Sequence, residues 1–199
     1  MVSTILLCAG QSRRMGRSKL LLPLKDKKVI DYVLFNLLNS NTTKIVVVAR
    51  KNDKEFLKHI PNHKKIEIVF NNLENADMFS SVVCGTQFLK KDTLPLMIFL
   101  GEHPLIDSKT INILIDAFLN SEKRIVMPVY EGIKGHPLIL DNSLKNEILS
   151  PKIRCLKDII KKHQNEILEV DVDCRGVVID LDTEEDYKKM LEEIENGYL

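Results

Sequence analysis

Five short runs rich in valine and isoleucine, separated by stretches of helical period, constrain this chain more than any other feature of its sequence. Ile5 to Cys8, Ile45 to Val48, Ile66 to Phe70, Leu96 to Leu100 and Ile125 to Met127 read as strands, and four of the five are apolar throughout. A strand that is apolar on both faces must be covered on both. Between the strands, Ile30, Val33, Leu34 and Leu37 fall at i, i+3, i+4 and i+7. Ile111, Leu114, Ile115 and Phe118 repeat that spacing, with Ser108 as the expected N-cap. Tyr187, Met190, Leu191 and Ile194 form a third such helix, capped by Thr183, with Asp186 where a full capping box carries Glu or Gln. The alternation implies a mostly parallel sheet with right-handed crossovers. No repeat, low-complexity tract or linker breaks it, so the expectation is a single α/β domain over residues 1–199. Ligands of such sheets bind beyond the carboxyl ends of the strands, so the polar residues that follow each strand are the ones to weigh.

Composition narrows the function classes. At 199 residues the chain can bury a core without metals or disulfides. Its 29 basic and 28 acidic residues leave a net charge of +1, no surplus for gripping a nucleic-acid backbone. No apolar run approaches the ~18–20 residues of a membrane span. Ile5 to Cys8 is too short for a secretion signal and is followed by Arg13, Arg14 and Arg17. A cytoplasmic protein with neither nucleic-acid nor membrane partners is expected. Cys8, Cys84, Cys155 and Cys174 are scattered, with no Cys-x-x-Cys pair, and read as reduced structural thiols rather than zinc ligands.

The loop after the first strand is Ala9-Gly10-Gln11-Ser12-Arg13-Arg14-Met15-Gly16-Arg17-Ser18-Lys19. Two of the chain's 8 glycines flank this basic segment, which suggests a backbone that must approach something closely. Its amide groups, with Arg14 and Lys19, would make an anion site suited to a triphosphate. Five residues separate the glycines and Lys19 follows Ser18, so the loop is not a P-loop, and the Gly-x-Gly-x-x-Gly fingerprint is absent. A solvated basic loop is the competing reading.

The run Leu7-Cys8-Ala9-Gly10-x-Ser12-x-Arg14-Met15-Gly16-x-x-Lys19-x-Leu21-Leu22-Pro23 resembles the signature of the molybdenum cofactor nucleotidyltransferases. Ala9, where the guanylyltransferases commonly have glycine, makes it more similar to the cytidylyltransferase branch. Three later segments extend the resemblance. Asp77-Met78-Phe79-Ser80-Ser81-Val82 resembles Gly-Met-Ser-Ser-Ser, with Asp77 and Phe79 as departures. Gly135-His136-Pro137-Leu138 is similar to Gly-His-Pro-Val, and Asp180-Leu181-Asp182-Thr183-Glu184-Glu185-Asp186-Tyr187 to Asp-Ile-Asp-Thr-Pro-Glu-Asp-Tyr.

The resemblance implies a Rossmann-like three-layer sandwich of the nucleotide-diphospho-sugar-transferase type. It also implies Mg²⁺-dependent transfer of CMP from CTP to molybdopterin cofactor with release of pyrophosphate, a molybdoenzyme being the receiver of the product. Arg14 and Lys19 would neutralise phosphate charge as catalytic residues. Leu7, Ala9, Gly10, Ser12, Lys19, Ser80, Ser81 and Gly101 would bind the nucleotide, and His136 the acceptor. The family's Gly-Asp-x-Pro reads here Gly101-Glu102-His103-Pro104, the most serious departure. Glu102 and Asp182 are the expected ligands of Mg²⁺, with Mn²⁺ as the alternative ion. Charge at the start of a helix is the other account of Asp180 and Asp182. Transfer from GTP or to a different phosphorylated acceptor, and a non-catalytic nucleotide- or cofactor-binding protein, stay open as alternatives. His103 faces the nucleotide or is a hydrogen-bonded loop histidine. His59, His63 and His163 sit in lysine-rich stretches and read as solvated surface. Lys25, Lys27 and Lys28 read as an exposed turn, and Glu192, Glu193 and Glu195 as an exposed helix face.

Overall fold

The structure is a computed structural model and describes residues 1–10, 18–74 and 76–194. From the amino end the chain forms β1 (Val2–Leu7), a hairpin of β2 (Pro23–Leu24) and β3 (Lys27–Lys28), α1 (Val29–Leu38), β4 (Thr42–Ala49), the short α2 (Lys54–Leu57) and β5 (Ile66–Phe70). There follow α3 (Met78–Phe88), β6 (Leu96–Leu100), α4 (Ser108–Leu119), β7 (Ile125–Tyr130), β8 (Ile133–Lys134) and β9 (Leu138–Leu140). The chain ends through α5 (Lys145–Ile148), α6 (Leu156–Lys162), β10 (Ile167–Asp171) and α7 (Glu184–Glu193).

The main sheet runs β10-β7-β9-β6-β1-β4-β5, with β8 paired to β7. β1 pairs in parallel with both β4 and β6, β4 with β5, and β7 with β10. β9 enters antiparallel between β6 and β7. The mostly parallel sheet is as the alternation implies. The antiparallel insertion was not read from the sequence, because Leu138 to Leu140 is too short to give a period. After β1 the chain builds outward through β4 and β5, then returns to the other side of β1 as β6. The order reverses there, which opens a crevice at the carboxyl ends of β1 and β6.

Side chains alternate across the strands with period two, and each face has its helices. Leu6, Val47, Met97 and Phe99 pack with Ile30, Leu37, Ile111 and Phe118 of α1 and α4. Ile5, Val46, Val48 and Ile98 pack with Phe79 and Val82 of α3, Ile148 of α5 and Ile159 of α6. β5 is an edge strand, so Ile68 and Phe70 are exposed and Glu67 costs little there. A third cluster joins Leu22, Leu24, Val29 and Leu105 to Leu181, Met190 and Ile194, and so brings the segment before α7 against the loop after β6.

Several local expectations change. The N-cap of α4 is Asp107, whose carboxylate accepts the Thr110 amide at 2.7 Å; Ser108 is the first helical residue. Asp186 completes the capping box of α7, since its carboxylate reaches the Thr183 amide at 2.8 Å. His163 is not solvated: it is 9% exposed, its ring held between Glu147 at 3.0 Å and Glu166 at 2.7 Å while Lys161 and Lys162 point outward. His59 and His63 are half-buried, His59 lying 3.3 Å from Asp31 and His63 accepting the Lys65 amide. Lys25 and Lys27 do form an exposed turn, at the β2–β3 hairpin, with Glu192 exposed on α7. All four cysteines are free thiols. Among the described residues no helix is long and apolar enough to cross a membrane.

Candidate active site

The crevice is tight at its base. The Gly101 amide donates to the Leu7 carbonyl at 3.1 Å, and a Cβ at Gly101 would stand 2.9 Å from the Cys8 sulfur and 3.0 Å from the Leu7 oxygen. Only a residue without a side chain lets β6 turn so close to β1. Glu102 therefore emerges beside Cys8, and burial, then the Glu102 charge, push that thiol well above its ordinary range.

Lys19 lies in a 3-10 turn, Lys19–Leu21, at the end of the loop after β1. Its ammonium pairs with Glu102 and, at 3.0 Å, with Asp182. Three segments far apart in sequence thus meet at one cation, with the lysine side chain only 13% exposed. Two carboxylates converging on one positive point are the protein donor set that a divalent ion takes when phosphate oxygens and water complete its shell. On that ground Glu102 and Asp182 fit a divalent metal. Among the described residues no cluster of three or more His, Cys, Asp or Glu makes a closed metal cage.

Beside this trio lie two histidines. His103 is 1% exposed; its Nδ1 donates to the Gly176 carbonyl at 3.3 Å, and its Nε2 stands 3.4 Å from Asp180. Contact with His103 is the main cause that holds the Asp180 carboxyl below its ordinary value. The His136 ring meets His103 edge-on at 5.7 Å, and its Nδ1 is buried without a partner. Burial, then the neighbouring His103, push His136 down to about 4, so it is neutral at pH 7.

On the other side of β1 the polar groups are neutral or bound to backbone. Arg50, directly after β4, donates from Nε to the Ala9 carbonyl at 2.8 Å, while its Nη2 is buried without a partner. Asn71, directly after β5 and buried, donates to the Ser80 and Ser81 hydroxyls at 2.9 and 3.0 Å. Both serines lie in the first turn of α3, where Asp77 caps the helix through the Ser80 amide at 2.7 Å.

Residues 4–167 match the MobA-like NTP transferase domain. The chain belongs to this family. It is 22% identical over 187 residues to the molybdenum cofactor cytidylyltransferase of Escherichia coli (strain K12), spanning 94% of this chain and 93% of the relative. It is 24% identical over 198 residues to a probable molybdenum cofactor guanylyltransferase of Aquifex aeolicus (strain VF5), spanning 96% of this chain and 90% of that one. Its fold is similar to Rv0371c from Mycobacterium tuberculosis H37Rv, at a TM-score of 0.82 and 20% identity over 96% of this chain and 97% of that one. A manganese complex of Rv0371c superposes at 0.73, with 20% identity and coverage of 96% and 98%. The protein is a nucleotidyltransferase of the MobA-like family, built on the nucleotide-diphospho-sugar-transferase fold.

Within this nucleotidyltransferase the residues expected from the sequence fall into three groups. Lys19, Glu102 and Asp182 meet; Gly101 bonds to Leu7 at the end of β1, Ala9 is buried with its carbonyl bonded to Arg50, and Gly10 is exposed. Ser80 and Ser81 are joined to the other side of the crevice through Asn71, with Ser81 buried and its hydroxyl donated to the Asp77 carbonyl. His136 contacts His103 rather than the lysine cluster. Ser12 and Arg14 lie outside the described residues. Arg50 and Asn71 were not among the candidates, although each is the first polar residue after a strand, a signal the sequence does offer.

Proposed function

We propose that this protein transfers CMP from CTP to the terminal phosphate of molybdopterin cofactor, releasing pyrophosphate, with a molybdoenzyme as receiver of the product. The observation that carries this reading is the Lys19 ammonium held between Glu102 and Asp182 at the crevice between β1 and β6. Transfer needs two anions to meet: an acceptor phosphate oxygen forms a bond to the α-phosphorus as the bond to pyrophosphate breaks. Glu102 and Asp182 would hold a divalent ion, Mg²⁺ or Mn²⁺, which supplies charge neutralisation on the phosphate oxygens. Lys19 then shifts its ammonium from the carboxylates to the triphosphate and stabilises charge on the departing pyrophosphate. Arg14 also acts on the phosphates. The backbone of Leu7, Ala9, Gly10 and Gly101, with Ser12, holds the nucleotide, Ser80 and Ser81 shape the base side, and neutral His136 meets the acceptor. No covalent enzyme intermediate is needed. The whole of residues 1–199 serves as one catalytic domain.

The Escherichia coli relative favours CTP, and the Ala9, Ser80-Ser81 and Gly135-His136-Pro137 segments favour it further. The Aquifex aeolicus relative supports a second reading, transfer from GTP. Pyrophosphate release with molybdopterin cofactor, CTP or GTP, and Mg²⁺ or Mn²⁺ tests both. The expected result is a higher kcat/KM for CTP, because a pocket built for one base strands polar groups against the other. Equal or reversed values move the protein to the guanylyl branch. Nucleotide binding with no transfer to any phosphorylated acceptor makes it a binding protein.

A further inference from the structure

The loop after β6 and the segment before α7 run past each other in opposite directions and touch at successive points. At the first, Gly176 packs so closely on Leu105 that a Cβ would come within 2.7 Å of the Leu105 backbone, and the Cys174 thiol donates to the Leu105 carbonyl at 3.5 Å. At the second, His103 faces Gly176 through Nδ1 and Asp180 through Nε2. At the third, Glu102 and Asp182 stand on either side of Lys19. The first contact is backbone against backbone, and the third is a pair of carboxylates with no direct attraction for one another. The second is a single buried ring.

The geometry points to His103 as a positioning residue that sets the separation of the Glu102 and Asp182 carboxylates. It does so by fixing the loop after β6 to the segment before α7, one residue from Glu102 and two from the partner of that pair. A carbonyl only accepts, so Nδ1 carries a hydrogen and orients the ring, while Nε2, buried and without a hydrogen-bond partner, faces the Asp180 carboxylate across 3.4 Å. The ring is 1% exposed and is packed edge-on against His136, so it has no freedom to follow a shifting carboxylate. His103 touches neither substrate nor metal; it acts through Asp180. This role rests on the reading of Glu102 and Asp182 as metal ligands, but Lys19 reports on their separation without any metal.

The test uses the full chain with His103→Leu, which fills the space without hydrogen bonds, His103→Gln, which restores polar reach, and Asp180→Asn, which leaves the core untouched. Two readouts apply: binding of Mn²⁺ alone by titration, and the rate at which an amine-reactive reagent labels Lys19 in metal-free protein, read by mass spectrometry. Groups that orient metal ligands typically alter affinity about 10–100-fold. His103→Leu and Asp180→Asn are each expected to weaken Mn²⁺ binding about tenfold and to speed Lys19 labelling, with His103→Gln recovering most of both. The double variant is expected to lose no more than either single one, since the two residues act as a unit. Unchanged labelling in folded His103→Leu, or losses that add in the double variant, overturns the positioning role. A wild type that neither binds Mn²⁺ nor releases pyrophosphate overturns the metal reading instead, and Lys19 labelling still decides the role of His103.

Discussion

The two sides of the crevice are built on different principles. Toward β4 and β5, Asn71 bonds to the Ser80 and Ser81 hydroxyls, the Asp77 carboxylate caps α3 through the Ser80 amide, and Arg50 is anchored on the Ala9 carbonyl. Toward β6 and α7, three carboxylates, Glu102, Asp180 and Asp182, are gathered around Lys19 and the buried ring of His103. A ligand entering the first side meets a finished hydrogen-bonded wall. A ligand entering the second must replace an internal ion pair, so charge there is held ready for exchange. On the proposed function, the first side would recognise the nucleoside and the second would carry the chemistry on phosphates.

Changes on the charged side should therefore cost turnover most. Glu102→Gln is expected to lower transfer by about 10³-fold or more, because it removes one carboxylate from a site asked to supply several kcal/mol. Glu102→Asp keeps the charge and should retain measurable transfer with a changed Mg²⁺/Mn²⁺ preference, which pyrophosphate assays in each metal would read. Transfer that survives Glu102→Gln would leave Asp182 as the principal ligand. Lys19→Ala should cost about 10²–10³-fold in kcat, the effect of losing one charge-stabilising donor. The same variant removes a cation that competes for Glu102 and Asp182, so it should bind Mn²⁺ more tightly than wild type. Slower transfer with weaker metal binding would break the idea of a lysine that shares the carboxylates with a metal.

His136 connects the charged side to stability. Its folded-state pKa lies near 4 against an ordinary 6.5, from burial first and His103 second, with Asp180 opposing. Between those values the unfolded chain takes the proton and the folded one does not, so stability is full above pH 6.5 and falls as pH drops toward 4. Acidification from pH 7 to 5 should cost about 2 kcal/mol through this residue. Urea unfolding at both pH values, in wild type and in His136→Gln, reads it: the variant should lose less. Equal losses in the two proteins would remove His136 from the acid response.

The sequence made the charged side legible and left the neutral side half seen. Strands and the three amphipathic helices follow from periodicity because buried faces impose it, and Lys19, Glu102 and Asp182 followed from motif resemblance. Periodicity is silent on β9, three residues long, and on α5, four residues long. Arg50 and Asn71 carry no motif of their own; their significance comes from pairing β4 with β1 and β5 with β4, which only the sheet order reveals. His163 was misread because local composition reports on its lysine neighbours, whereas burial depends on Glu147 and Glu166 arriving from other segments. His103 looked like a choice between ligand and loop histidine, and the backbone carbonyl of Gly176, invisible to side-chain patterns, favours the latter.

The smallest expected effect is on the neutral side, at Arg50. Arg50→Lys keeps a positive charge and one donor for the Ala9 carbonyl but loses the planar fork. The fork's buried Nη2 has no partner, and an unsatisfied buried donor costs about 1–3 kcal/mol. Removing it offsets much of the weaker bond to Ala9, so the melting temperature should change little. The start of the nucleotide loop is held less firmly, which should raise the KM for CTP by about two- to tenfold, the worth of one hydrogen bond. Because the proposal places phosphate chemistry on the opposite side of β1, kcat should remain near wild type. Steady-state kinetics with varied CTP at saturating acceptor and metal separate the two constants. A fall in kcat comparable to that of Lys19→Ala would mean that Arg50 reaches the reacting phosphates, and that the division between a recognising side and a reacting side does not exist.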